Sequence, residues 1–107
     1  MSLEANYNAL LTQFDADLGP YAGRADVDLT VGNRPQLARN HARQLASQMI
    51  ALAAGTALRP DVSLDTELRA ARDALGLWSN SLGLSGSTDE LRAALVALRD
   101  AALAGAL

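Results

Sequence analysis

One histidine is the side chain in this sequence best suited to chemistry at neutral pH. His41 is the only histidine of the chain, and Arg39 and Arg43 lie two residues to either side of it. A neutral imidazole can accept a phosphoryl group, and a guanidinium can stabilise the charge that arrives with it. The spacing therefore offers one alternative function, a histidine phosphotransfer or other signalling bundle with His41 as the phosphoacceptor.

The surroundings of His41 favour a simpler interpretation. A single titratable group without a supporting set of polar residues is a weak signal for an active site. His41 also lies about 40° from Leu45 on a helix, at the edge of an apolar stripe. We therefore interpret it as a structural histidine at the boundary of the core, and we expect no catalytic residue and no enzymatic activity.

Two Asp-x-Asp pairs resemble fragments of calcium loops, but their context does not support a metal site. Asp15 pairs with Asp17 and Asp26 with Asp28, without the third ligand, the turn glycine or the terminal Glu of such loops. The Glu-x-x-His motif of di-iron bundles and a glycine-rich phosphate loop are also missing from the sequence. We expect neither a metal nor a cofactor.

The elements that carry these residues are predicted from apolar residues at helical spacing. The clearest stripe gives a central helix over 35–58, begun by Pro35 and closed before Pro60. Gly19 and Pro20 end the first helix, Ser63 is the predicted N-cap of the third, and Ser87 to Glu90 form a capping box. The predicted helices span residues 3–18, 35–58, 64–82 and 88–104, with a long non-helical loop over 19–33.

Length and composition fit these helices. The chain has 107 residues, half of them apolar but only 4% aromatic, which is typical of closely packed helices rather than sheets. The prediction is one domain over 1–107, an all-α small four-helix bundle. No stretch is long enough for a membrane span, and without a signal peptide we expect a cytoplasmic protein.

Charge is distributed unevenly along the chain. Residues 1–30 carry five acids and one Arg, residues 31–60 four Arg and no acid, and residues 61–107 seven acids and four Arg. Helix 3 begins with Asp65 and Glu67 and helix 4 with Asp89 and Glu90, where a recognition helix would meet phosphates. Nucleic-acid binding is therefore the least favoured function.

The basic central helix also presents a mixed face away from its apolar stripe. Arg39, Arg43 and Ile50 lie within about 40° of one another on that face, which we expect to point away from the core of a single bundle. We expect the loop with Asp26 and Asp28 to cover Ile50. If that loop lies elsewhere, the face is better interpreted as a docking site for an acidic protein partner.

Helix 4 carries surplus apolar residues. Val96 and Leu103 are seven residues apart on one face, about 120 to 140° from Leu91 on the core stripe. A monomer would expose this face, so we predict a homodimer that buries it. The sequence thus favours a non-catalytic protein–protein interaction or oligomerisation module, with five candidate partner-binding residues: Arg39, Arg43, Ile50, Val96 and Leu103.

Overall fold

Four helices form the part of the chain that the structure describes. The computed structural model describes residues 2–18, 33–80 and 85–107, with side chains from residue 36 onward in the second range and from 88 onward in the third. The helices are α1 (Leu3–Leu18), α2 (Asn33–Ala54), α3 (Asp65–Asn80) and α4 (Ser85–Gly105). Within those ranges the extended structure is limited to one bridge between Leu58 and Ala106. The predicted all-α four-helix bundle is confirmed.

The observed helix ends follow the predicted signals at most positions. α1 has the predicted bounds, whereas α2 ends at Ala54, four residues before the predicted end at 58, because the chain turns at Gly55. α3 starts at Asp65, whose N–H donates to the Ser63 hydroxyl at 3.2 Å, so the predicted cap is confirmed. The predicted 19–33 loop lies outside the described residues, except for Asn33, which begins α2.

The start of α4 differs from the prediction. The helix begins at Ser85, so Ser87 lies inside the first turn instead of preceding it, and the predicted position of the capping box is wrong. Gly86 lies within this first turn. Glycine weakens a helix by about 0.5 to 1 kcal/mol relative to alanine but does not by itself end it.

The N-terminal cap of α1 was not predicted. The Ser2 hydroxyl accepts a hydrogen bond from the N–H of Ala5 at 3.1 Å, and the Ser2 carbonyl accepts one from Asn6 at 3.0 Å. These bonds satisfy N–H groups that the first turn leaves without helical partners. Ser2 is therefore the N-cap of α1.

The bundle consists of two antiparallel hairpins, α1–α2 and α3–α4, packed against each other. α2 and α4 each contact all three other helices, and the contact between α4 and α1 is limited to one edge. All four helices contribute to one core. Its largest fully buried side chains are Trp78, Tyr7, Phe14, Met49, Leu91, Leu95 and Leu98.

Trp78 connects three helices at the end of the bundle where α2 begins. Its indole Nε1 donates to the hydroxyl of Thr88 on α4 at 2.9 Å, and the Arg39 guanidinium of α2 lies 5.7 Å from its ring centroid. A buried indole needs such an acceptor, and a cation near its ring adds electrostatic attraction. Trp78 is therefore a core residue whose polar N–H group is hydrogen-bonded.

Tyr7 is the aromatic residue of α1 at the centre of the core. It is fully buried, and its hydroxyl makes no well-aligned hydrogen bond, although the Thr56 side chain is its nearest polar neighbour. Burial raises the pKa of Tyr7, and the Thr56 hydroxyl partly opposes that shift. Tyr7 is thus a packing residue of the core.

The opposite end of the bundle is closed by the C-terminal residues. The N–H of Arg59 donates to the Gly105 carbonyl at 2.9 Å, and the N–H of Leu107 donates to the Ala57 carbonyl at 3.1 Å. The Arg59 guanidinium also donates to the carbonyl of Ala104 at 2.9 Å. These bonds satisfy carbonyl groups in the last turn of α4 and the N–H of Leu107, and they fix this end of α4 to the α2–α3 connection.

We expect two glycine-to-alanine substitutions to have opposite effects. A Cβ on Gly105 would lie 2.4 Å from Val62 Cγ1, whereas a Cβ on Gly76, inside α3, meets nothing within 4 Å. Gly105→Ala should destabilise the fold by about 1 to 3 kcal/mol through overpacking. Gly76→Ala should stabilise it by about 0.5 to 1 kcal/mol because alanine loses less backbone entropy.

Urea unfolding followed by circular dichroism measures both free energies. Equal effects of the two substitutions would contradict the close packing of Gly105 against Val62.

Candidate interaction surface

Ile50 is buried, with 7% of its surface exposed, although its side of α2 was expected to point away from the core. The expectation was wrong because α2 packs against three helices and buries a sector wider than the single predicted stripe. Arg39, about 20° from Ile50 around the helix, contacts α3, so this side of α2 faces α3. The residues Asp26 and Asp28, expected to cover Ile50, lie outside the described residues.

Arg39 is held within the bundle. Its guanidinium lies over Trp78 and donates to the backbone carbonyl of Ser79, at the end of α3. Its Nε is buried and makes no hydrogen bond. Arg39 therefore stabilises the contact between α2 and α3 and is poorly placed to meet a partner protein.

Arg43 lies at the surface, one turn further along α2. Its guanidinium donates to Asn40 Oδ1 at 2.8 Å, within the same helix. The structure thus separates the three residues predicted to share a face. Ile50 is in the core, Arg39 is packed on α3, and Arg43 alone reaches the outer surface.

Val96 and Leu103 are only partly exposed, because they pack against the edge of the core. On the same side of α4, Arg92 makes two hydrogen bonds to Asp15 of α1, at 2.7 and 2.9 Å, and Arg99 donates to Asn8 of α1 at 3.2 Å. The bonds to Asp15 raise the pKa of Arg92. This side of α4 therefore faces α1, and the premise that a monomer leaves Val96 and Leu103 in water is wrong.

His41 lies beside a carboxylate of α1. Its Nδ1 is 2.6 Å from Oδ2 of Asp17, close enough for an ion pair when the imidazole is protonated, although the two are not aligned as a hydrogen bond. The His41 side chain is 51% exposed. Arg39 and Arg43 lie about 160° or more away around α2, so neither supplies positive charge beside the imidazole.

The outer side of the α1–α2 hairpin carries a continuous surface of mostly uncharged residues. Two shallow concavities meet at Gln48, one between α1 and α2 and the other along α2. We call this surface the Gln48 face. It is formed by ten residues, Asn6, Ala9, Leu10, Asn40, Arg43, Gln44, Ser47, Gln48, Ala51 and Leu52.

Among the residues that the structure describes, Arg43 is the single charged residue of the Gln48 face. The remaining nine are amides, alanines, leucines and one serine, in a chain where 20% of the residues are charged. The outer side of α3, by contrast, exposes Asp65, Arg69, Arg72 and Asp73. Depletion of charge distinguishes the centre of protein interfaces from ordinary surface. The Gln48 face is therefore the candidate functional site.

Sequence reasoning missed this face because it searched for charged and apolar side chains, whereas amides and alanines carry no motif. One signal was available, since residues 31–60 contain no acid. It was interpreted as charge complementarity between the basic central helix and its acidic neighbours, with a basic binding surface as the alternative.

Comparison with protein-family models, curated proteins and solved structures finds no match for this chain. Among the described residues, no cluster of three or more histidine and carboxylate side chains could bind a metal ion. In the same part of the chain, no helix combines the length and apolar character needed to cross a membrane. The Gln48 face is therefore the feature that supports a function for this protein.

We expect Ile50→Asp to destabilise the fold far more than Arg43→Gln. A carboxylate at the Ile50 position would be buried without a partner, costing about 3 kcal/mol or more. Arg43→Gln removes one exposed bond within a turn and should change the free energy of unfolding by about 0.5 kcal/mol or less. Chemical unfolding of both variants makes the comparison, and equal costs would contradict the burial of Ile50.

Proposed function

We propose that this protein is a non-catalytic helical module that associates with a second copy of itself, most simply as a homodimer. The observation that supports the proposal is the Gln48 face, a continuous surface with one charge among ten residues. Such a surface loses little ion hydration when it is covered by another protein. Its amides can form hydrogen bonds across an interface, which adds specificity.

Electrostatics favours this face for contact between identical chains. Each copy carries a net charge of −3, so contact between two acidic regions would bring like charges together. Acids are exposed on both α3 and α4, at Asp65, Asp73, Asp89 and Asp100. The Gln48 face contains no acid and avoids this repulsion.

An acidic protein partner is less well supported. Of the two arginines considered for that role, Arg39 is packed on Trp78 and Arg43 is bonded to Asn40. A nucleic acid would require several cations to contact its phosphates, and this face offers one. Both remain alternatives to self-association.

We expect the wild-type protein to dimerise reversibly with increasing concentration. Sedimentation velocity from about 10 µM to 1 mM covers the range in which small interfaces associate. The expected result is a shift from 11.2 kDa toward twice that mass. A constant mass of 11.2 kDa across this range would contradict the proposal.

Phosphoryl acceptance by His41 is a second candidate function, and one observation favours it. A carboxylate 2.6 Å from Nδ1 can orient an imidazole and leave Nε2 as the nucleophile. The positions of Arg39 and Arg43, about 160° from His41 around α2, oppose it, because a transferred phosphoryl group needs positive charge nearby. A structural contact between α1 and α2 therefore remains the favoured role of His41.

We expect no phosphorylation of His41. Incubation with a small phosphodonor such as phosphoramidate should leave the wild type and His41→Gln equally unlabelled, and the variant should keep the helical circular dichroism spectrum. An acid-labile label that is present on the wild type and lost in His41→Gln would establish the second candidate instead.

A further inference from the structure

We infer that the two copies pair α2 against α2, antiparallel, about a two-fold axis beside Gln48. This inference rests on the proposed self-association and adds the position and direction of the contact. In a two-fold interface the same surface is used by both copies, so a residue on the axis meets its own counterpart. The residue best placed for that role is the one shared by both concavities, Gln48.

The single charge of the face fixes where the axis can lie. An axis beside Arg43 would bring two guanidinium groups together. With the axis at Gln48, each Arg43 lies five residues from it, so the two are about 15 Å apart along antiparallel helices. That separation exceeds the distance of about 8 Å over which physiological salt screens exposed charges. Their repulsion is therefore small.

The length of α2 limits the axis in the other direction. The helix ends at Ala54, six residues beyond Gln48, so a two-fold axis there lets residues 42–54 of both copies overlap. This overlap is about 20 Å long. Moving the axis toward Ala54 would shorten the overlap, and moving it toward Arg43 would restore the repulsion.

The same pairing fills the groove between α1 and α2. With the axis at Gln48, Gln44 of one copy lies opposite Leu52 of the other, beside the groove formed by Asn6, Leu10 and Leu52. The stem of Gln44 can cover the leucines while its amide meets the Asn6 or Gln48 side chain. The amides that become buried thereby find partners, which avoids the cost of covering an unpaired polar group.

Single-cysteine variants test the axis directly, because the chain has no cysteine of its own. Helix axes about 8 to 10 Å apart leave about 3.4 to 5.4 Å between facing Cα atoms, which overlaps the separation of about 4.4 to 6.8 Å in a disulfide. Gln48→Cys should therefore form a disulfide-linked dimer about tenfold faster than a variant off the axis, measured by non-reducing electrophoresis after mild oxidation.

Two controls define the background rate. Gln44→Cys lies on the same face, but its two copies would be offset by about 12 Å along the helices. Ala70→Cys places the thiol at an exposed position on α3, outside the face, and reports random collision. Circular dichroism verifies that each variant is folded.

A matched pair of alanine substitutions gives an independent measurement. Ala51 and Ala70 are both exposed alanines within helices, but only Ala51 belongs to the Gln48 face. Ala51→Glu places an acid on each copy near the axis and should shift the sedimentation profile to the monomer. Ala70→Glu should leave the wild-type profile unchanged.

The outcomes separate this inference from the proposed function. A wild type that dimerises, with Gln48→Cys no faster than Ala70→Cys and Ala51→Glu still dimeric, would overturn the pairing but not the self-association. In that case a folded monomer of Leu103→Glu would place the contact on α4. A wild type that stays monomeric, with no enrichment of the Gln48→Cys dimer, would overturn both.

Discussion

The packing of α2 against all three other helices is the constraint on which the bundle depends. Three residues of its buried sector, Ala42, Ala46 and Ala53, are small and almost completely covered. The distance between packed helix axes, about 8 to 10 Å, depends on the size of the side chains at the contact. Larger residues there would separate the hairpins and remove the support for Arg39 over Trp78.

Much of the fold could be predicted from local signals, because helices begin and end according to residues close in sequence. Ser63 and the bounds of α1 are examples. The directions of helix faces could not be predicted in the same way. Ile50 lies far from the strongest stripe of α2, yet it is buried because a central helix is covered on more than one side. Periodicity identifies one covered side and does not reveal the second.

The same limit explains the edge where α4 meets α1. Val96 and Leu103 look like surplus apolar residues if α4 is assumed to have a single neighbouring helix. They instead pack against the core, on the side of α4 that faces α1. The Arg92–Asp15 pair on that edge is exposed by 47% and 41%, so solvent screening leaves it about 0 to 1 kcal/mol. Its two aligned hydrogen bonds mainly fix the register of α1 against α4. The apolar contacts supply most of the stability of this edge.

The Gln48 face carries little charge because charged side chains of the α1–α2 hairpin make contacts elsewhere in the bundle. Arg39 turns inward to Trp78, Asp15 pairs with Arg92, and Asp17 lies beside His41, which leaves the outer side of the α1–α2 hairpin with amides and alanines. None of these contacts joins residues close in sequence, so the Gln48 face could not be predicted before the fold was known.

A surface that is neither strongly apolar nor charged can remain in water and can also be covered by another protein at low cost. Its amides must then find partners in the covered state. Two-fold pairing meets that requirement because every donor and acceptor of one copy is present again on the other.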